Sequence, residues 1–179
     1  MSVPPAPELV CRLARDPGEQ RGYFALRRSI FCLEQRLFEG DDRDEHDDAA
    51  HPIVCLAGPR VVGVVRIWET APGDWWGGRL GVDAEFRTAA VVGRRLVQTA
   101  VGTARAWGAR RFRATVQRAN VPFFRRLRWE TREEIDLFGR PHHLMEAALE
   151  HFSPTTEARP AVGGHAGRAS DSCELPDAA

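Results

Sequence analysis

The sequence predicts an α/β (α+β) fold in which one mixed sheet is flanked by helices. The apolar residues change period along the chain, from alternation to helical spacing and back, in the order β, α, β, β, β, α, β, α, β, β. Two β-branched runs flank a Gly-Pro turn, which marks a hairpin and therefore antiparallel pairing. Near the centre, EFRTAAVVGRRLVQTAV (Glu85 to Val101) passes from a strand through small residues into a helix with arginines at its mouth. A helix start leaves backbone N–H groups unpaired, and small residues before it let an anion come close to them. With 179 residues, 43% of them hydrophobic, the chain can fill one sizeable core and is about one domain long.

Taken in order, ELVCRLA alternates as a first strand after a Pro-rich lead, and DPGEQRGYFALRRSIFCLEQRLF places Tyr23, Leu26, Ile30, Phe31 and Leu33 near one helical face. EGDDRDEHDDAAH carries seven carboxylates in thirteen residues and no apolar residue but Ala, so it reads as an exposed loop. PIVCLA and VVGVVRIWET form the hairpin, APGDWWGG reads as a loop, and the short strand RLGVD leads into the central turn. The helix that follows runs from about Val92 to Trp107, with Leu96, Val97, Ala100, Val101 and Ala104 on one face and Gly108 as its stop. RRFRATVQ alternates as a half-buried strand, and NVPFFRRLR opens with an Asn cap and a Pro in its first turn. WETREEIDLFG and HHLMEAAL are two last strands joined by the turn GRP. From Ser153 onward Pro, Gly, Ser and Ala dominate, so a domain over 1–152 is expected to precede a disordered tail over 153–179.

Composition narrows the chemistry. The 25 basic and 25 acidic residues cancel, leaving no global field that would favour nucleic acid or an acidic membrane. Every basic residue is Arg, which excludes Schiff-base, P-loop and general-base lysines. Cys11, Cys32, Cys55 and Cys173 contain no C-x-x-C pair and read as structural free thiols of a reducing compartment. No apolar run approaches the ~18 residues of a membrane span, and the start MSVPPAPELV lacks a basic region followed by an apolar one, so a cytoplasmic location is expected. No His/Cys set has metal-ligand spacing, so no metal is expected.

The central LGVDAEFRTAAVVGRRLV, followed at suitable spacing by ATVQRANVPFFRRLRW, resembles the GNAT acyltransferase superfamily. Its pattern is a strand ending in Val, an R-G-x-G-x-G/A turn opening a helix, then a strand and N-x-x-x-x-F-Y. The resemblance spans roughly Leu9 to Leu149 in element order. It implies the GNAT fold, a mostly antiparallel sheet of about seven strands, and acetyl-CoA as donor to a small amine, with transfer directly between the two. It also implies that Val82 offers its backbone to the pantetheine arm and that the pyrophosphate is wrapped by Arg87, Thr88, Ala89, Ala90, Val91, Val92, Gly93 and Arg94. Asn120 and Phe124 would border the thioester. Thr88 and Ala90 stand where glycines are usual, the turn is one residue longer than the common pattern, and Phe124 stands where a Tyr often protonates the departing thiolate. A phenyl ring cannot donate a proton, so transfer here proceeds without that acid and with a smaller rate enhancement, or the domain binds acyl-CoA without turnover.

LRRSIFCLEQRLF, DDRDEHD and GRPHHLMEAAL further resemble the GNAT subgroup encoded beside nitrilase-type gene clusters. Arg27 with Phe31 (R-x-x-x-F) and Asp44 with Asp47 (D-x-x-D) are also similar to autoinducer (acyl-homoserine lactone) synthases. On the acceptor side the reading stays open. Asp44 and Asp47 either attract a cationic amine or belong to a solvated charge run. Glu34, Glu69 and His142, whose neighbour His143 points the other way, are the candidate bases. Trp76, with Trp75 in a Gly-flanked loop, is a candidate stacking platform for the substrate, and a homodimer is left open.

Overall fold

A computed structural model describes residues 7–161. One seven-stranded sheet runs in the order β1-β2-β3-β4-β5-β7-β6, its strands being β1 Leu9–Leu13, β2 His51–Ala57, β3 Arg60–Ala71, β4 Asp74–Val82, β5 Arg111–Gln117, β6 Trp129–Leu137 and β7 Arg140–Ala147. The helices are α1 Pro17–Arg27, α2 Val91–Ala106 and α3 Val121–Arg126. Every neighbouring pair is antiparallel except β4 and β5. That parallel pair is matched only over Asp74–Trp76 and Arg111–Arg113. Beyond it the two strands separate and the sheet forks.

Each face of the sheet is covered. Leu96, Val97, Ala100, Val101 and Ala104 of α2 pack with Val65, Ile67, Phe112, Ala114, Val116 and Met145 in the main core, which α3 joins through Val121 and Phe124. On the other face Tyr23 of α1 meets Val54, Leu56 and Val64. The first helix does not stay α-helical along its length. After Arg27 it widens to a π-helix over Arg28–Glu34, in which the Gln35 N–H reaches back to the Ile30 carbonyl. This wider turn brings Ile30 against Gly81, where a Cβ would stand 2.8 Å from the Ile30 Cδ1.

Three sequence expectations change here. The stretch APGDWWGG is not a loop: Ala71 pairs with Asp74 across a turn at Pro72 and Gly73, so β3 and β4 form one long hairpin. Trp75 and Trp76 are buried strand residues, Trp75 beside Trp107 in the core and Trp76 against the Arg113 guanidinium at 4.6 Å. Trp76 is therefore closed to a substrate. Of the segment read as a disordered tail, residues 153–161 lie along α2, where the Thr155 N–H donates to the Gly102 carbonyl and the Trp107 indole N–H to the Glu157 carbonyl. A Gly at 102 lets the chain come that close, since a Cβ there would meet the Ser153 carbonyl oxygen at 2.4 Å. Residues 162–179, with Cys173, lie outside the described residues.

Candidate functional site

Where the sheet forks, a cleft of about 310 Å³ opens. Leu80, Gly81 and Val82 form one wall, Asn120, Phe123 and Phe124 the other, with Ile30 and Gln35 above and Phe86, Arg87, Ala90 and Gly93 at the mouth. The fork exists because β4 carries a bulge. Val64 pairs with Gly81 but Arg66 with Gly78, so Arg79 and Leu80 together oppose Val65. Arg79 takes a left-handed φ of 54° there. The bulge bends β4 away from β5, and the start of α2 lies at the gap.

The mouth is the start of α2. Thr88–Ala90 form a 3-10 turn, and Ala90 caps the helix with φ 54° and a methyl side chain that offers no acceptor to the first-turn N–H groups of Val91, Val92 and Gly93. Ala90 adopts this conformation without being glycine, at a cost of roughly 1–2 kcal/mol. Val92 is buried, and Arg94 and Thr88 are exposed. At Gly93 a Cβ would point between Phe123 (3.4 Å) and Val82 (3.9 Å), so the glycine keeps the passage open. Arg87 folds its side chain across this passage: Nε donates to the Val82 carbonyl at 2.8 Å and Nη2 to Glu34 Oε2 at 2.8 Å. That hydrogen bond holds the Glu34 carboxyl below its usual range, so Glu34 is a weak proton acceptor for as long as Arg87 grips it.

Glu69 fails by its position. It lies at the far end of the β3–β4 hairpin, where it accepts from the Gly73 N–H (2.8 Å) and from Arg159 (2.6 Å). His142 is better placed. It pairs with Gln117 across β5 and β7, and directly opposed residues project from the same face. Gln117 meets Gln35 at 3.5 Å, which lines the cleft. His142 Nδ1 lies 2.8 Å from the Arg140 carbonyl, and a carbonyl only accepts, so Nδ1 carries the proton and Nε2 offers a lone pair. His143 points to the opposite face, with Nδ1 3.0 Å from the Thr131 hydroxyl. Phe124 is core as much as cleft, edge-on to Trp129 with centroids 5.1 Å apart.

The acidic loop is wet only in part: Glu39, Asp41, Glu45 and Asp48 are exposed, but the other three carboxylates turn inward. Three buried arginines, Arg27 of α1, Arg66 of β3 and Arg79 of β4, face the carboxylates of Asp42, Asp44 and Asp47. Arg66 grips Asp44 with both Nη atoms at 2.6 Å. Arg27 donates Nη2 to Asp47 at 3.0 Å and Nε to Asp42 at 2.7 Å, and also Nη1 to the Tyr23 hydroxyl at 3.0 Å. Burial works to raise the Asp47 pKa, but the Arg27 hydrogen bond and the Arg66 charge outweigh it and leave the group at about 2. Asp44 is lowered in the same way by Arg66 and Arg79. Both carboxylates are thus engaged by internal cations, and the expectation that Asp44 and Asp47 recognise an amine is withdrawn. The cluster also gathers Arg27 with Asp44 and Asp47, the residues of the two short motifs noted in the sequence. Among the described residues no group of three or more His, Cys, Asp or Glu could hold a metal ion, and no helix is long and apolar enough to cross a membrane.

Known proteins place this architecture. No curated protein matches the sequence. Among solved structures, a Lactobacillus plantarum protein assigned as an N-acetyltransferase superposes with a TM-score of 0.70 at 20% identity, covering 78% of this chain and 97% of its own. A Bacillus subtilis acetyltransferase in complex with CoA gives 0.59 at 14% identity, covering 78% of this chain and 98% of that one. The CoA-dependent acyl-homoserine lactone synthase BjaI, solved with SAM and isopentyl-CoA, gives 0.63 at 18% identity, covering 71% and 74%. At such identities the likeness is one of fold. The sequence profile described as the Acetyltransferase (GNAT) family matches residues 17–128, more than half of the chain and every residue lining the cleft. The chain therefore belongs to the GNAT family of acetyltransferases.

Proposed function

We propose that this acetyltransferase takes acetyl-CoA as donor and passes its acetyl group directly to a small amine. The observation that carries the reading is the coincidence of the β4/β5 fork with the first-turn N–H groups of Val91, Val92 and Gly93. A diphosphate at the helix start would direct its pantetheine arm along Leu80–Val82 into the fork. Arg87 would exchange its Glu34 partner for phosphate oxygens, which releases the Val82 carbonyl for a pantetheine amide. The amine attacks the thioester carbonyl, and His142 Nε2 accepts its proton through a bridging water. The carbonyl re-forms as the carbon–sulfur bond breaks and the thiolate leaves without an acid, because Phe124 has no proton to give. On its LRRSIFCLEQRLF and GRPHHLMEAAL segments the chain reads as a member of the subgroup encoded beside nitrilase-type clusters.

One observation favours a second acceptor. The R-x-x-x-F and D-x-x-D motifs at Arg27 and Asp44 are similar to those of autoinducer synthases, and the fold is shared with BjaI, so S-adenosylmethionine as the amine, with lactone formation, is the runner-up. Calorimetry with acetyl-CoA, followed by release of free CoA over a panel of amines that includes S-adenosylmethionine, separates these readings. Binding without release on any amine would leave a binding module. Gly93→Pro removes one first-turn N–H at a position where helical bonding does not need it, and should weaken CoA by roughly 2–3 kcal/mol. An unchanged affinity in the folded variant would show that this mouth holds no phosphate.

A further inference from the structure

Cys11 and Cys55 stand directly opposite one another in β1 and β2. Their sulfurs are 2.6 Å apart. Ordinary non-bonded carbon contacts fall at about 3.5–4.0 Å, and a disulfide bond is about 2.03–2.05 Å long, so the pair lies closer to the bond than to a packing contact. Directly opposed strand residues have Cα atoms about 4.5–5.5 Å apart, inside the range of about 4.4–6.8 Å that a disulfide spans. Both side chains face the core side of the sheet, but β1 is an edge strand and Cys11 is partly buried while Cys55 is fully buried. Of the two, the edge-strand residue Cys11 is the nearer to solvent.

We propose that Cys11 and Cys55 form a reversible dithiol/disulfide site that low-molecular-weight disulfides oxidise. Cys11, passing its proton to the Cys55 sulfur it donates to, attacks one sulfur of the small disulfide, giving a mixed disulfide and expelling one thiolate, which takes up that proton. The Cys55 thiolate then attacks the Cys11 sulfur, forming the intramolecular bond and expelling the second thiolate. Two protein thiols lose two electrons and two protons, and the small disulfide gains them as two thiols. The hydrogen bond from Cys11, with the Arg95 guanidinium, outweighs burial and holds the Cys55 pKa below the usual value, while the same contact and burial raise that of Cys11, so the pair shares one proton between its two sulfurs. Arg95 also donates to the Leu9 carbonyl at 2.7 Å, so α2, β1 and the cysteine pair meet in one place. In the oxidised state the edge strand is tied to β2, and the link closes a chain segment spanning 44 positions.

The full-length protein is incubated with oxidised glutathione or with dithiothreitol, then alkylated and mapped by mass spectrometry alongside thermal unfolding. The expected result is an intact mass 2 Da lower, one cross-linked peptide joining Cys11 to Cys55, and alkylation of Cys32 and Cys173. Closing a loop of this length should raise Tm by roughly 5–15 °C over the reduced protein. Cys11→Ser should abolish both the mass loss and the Tm response to oxidant. A persistent glutathione adduct, a cross-link to Cys32 or Cys173, or a pair alkylated equally in both conditions would overturn the proposal.

Discussion

Replacing Asp47 by Asn tests whether the acidic loop is fastened to the buried arginines. The side chain is 10% exposed, lies 2.9 Å from Arg66 Nη1 and 3.0 Å from Arg27 Nη2, and accepts from the Asp44 N–H at 3.1 Å. Removing one partner from a buried ion cluster costs about 3–5 kcal/mol, and Asn keeps the shape and one acceptor oxygen, so the lower end applies. A second route gives a similar figure. A carboxyl displaced from 3.8 to about 2 by folding contributes about 2 kcal/mol near neutral pH. Urea unfolding at pH 7 should therefore show a loss of about 2–3 kcal/mol, a midpoint shift of about 1–2 M for typical slopes. Asp48→Asn, at an exposed neighbouring carboxylate, should stay within about 0.5 kcal/mol. The pH dependence follows from the sign of the shift. The folded pKa is depressed, so this stabilisation is full above the unfolded value and is lost as pH falls through the folded one. The gap between parent and variant should narrow by about 1 kcal/mol at about pH 3. Equal midpoints at pH 7, or a gap that does not change with pH, would refute the buried-cluster account.

Three further outcomes are expected. His142→Ala should lower kcat by about 10²-fold or more with little change in acetyl-CoA affinity, and a KM effect alone would return His142 to a structural role. Ala90→Gly relieves the left-handed strain of about 1–2 kcal/mol but loosens the unfolded chain by about 0.4–1, so thermal unfolding should show a net gain of roughly 0.5–1 kcal/mol, whereas a net loss would contradict the strain. Glu34→Gln leaves Arg87 free for phosphate and should tighten CoA binding by about 2–5-fold in calorimetry, in keeping with the modest worth of an exposed ion pair; weaker binding would mean that Glu34 holds Arg87 in a productive pose.

Much of the fold was legible from local pattern. The order of strands and helices, the span of α2 and the strands that follow it come from hydrophobic period and from stop signals such as Gly108, which act over a few residues. The π-helix was not legible, because an apolar face at 3.6 spacing looks the same whether the last turns are α or π. The Gly-rich start of β4 read as a loop because glycine density carries no sign of Gly77 and Gly78 making room for Phe112 and Trp68. The largest miss was the acidic loop, whose partners lie 15 to 37 residues away. A signal was present: Arg66 and Arg79 interrupt otherwise apolar or small strand runs, and a charge at such a position needs a buried counter-charge. The cleft mouth was legible because it is built from one contiguous stretch.

The fork has a mechanical meaning as well as a chemical one. Among the described residues, three matched positions at one end of β4 and β5 are the only ladder between the leaf β1–β4 and the leaf β5–β7, with helix packing as a further joint. A sheet divided this way can flex about that short seam like a book about its spine. On the proposed reading, a ligand lodged between the leaves would touch Leu80–Val82 on one and the chain leaving β5 on the other, and so would act as a rivet. Part of its binding energy would then become stiffness of the whole sheet.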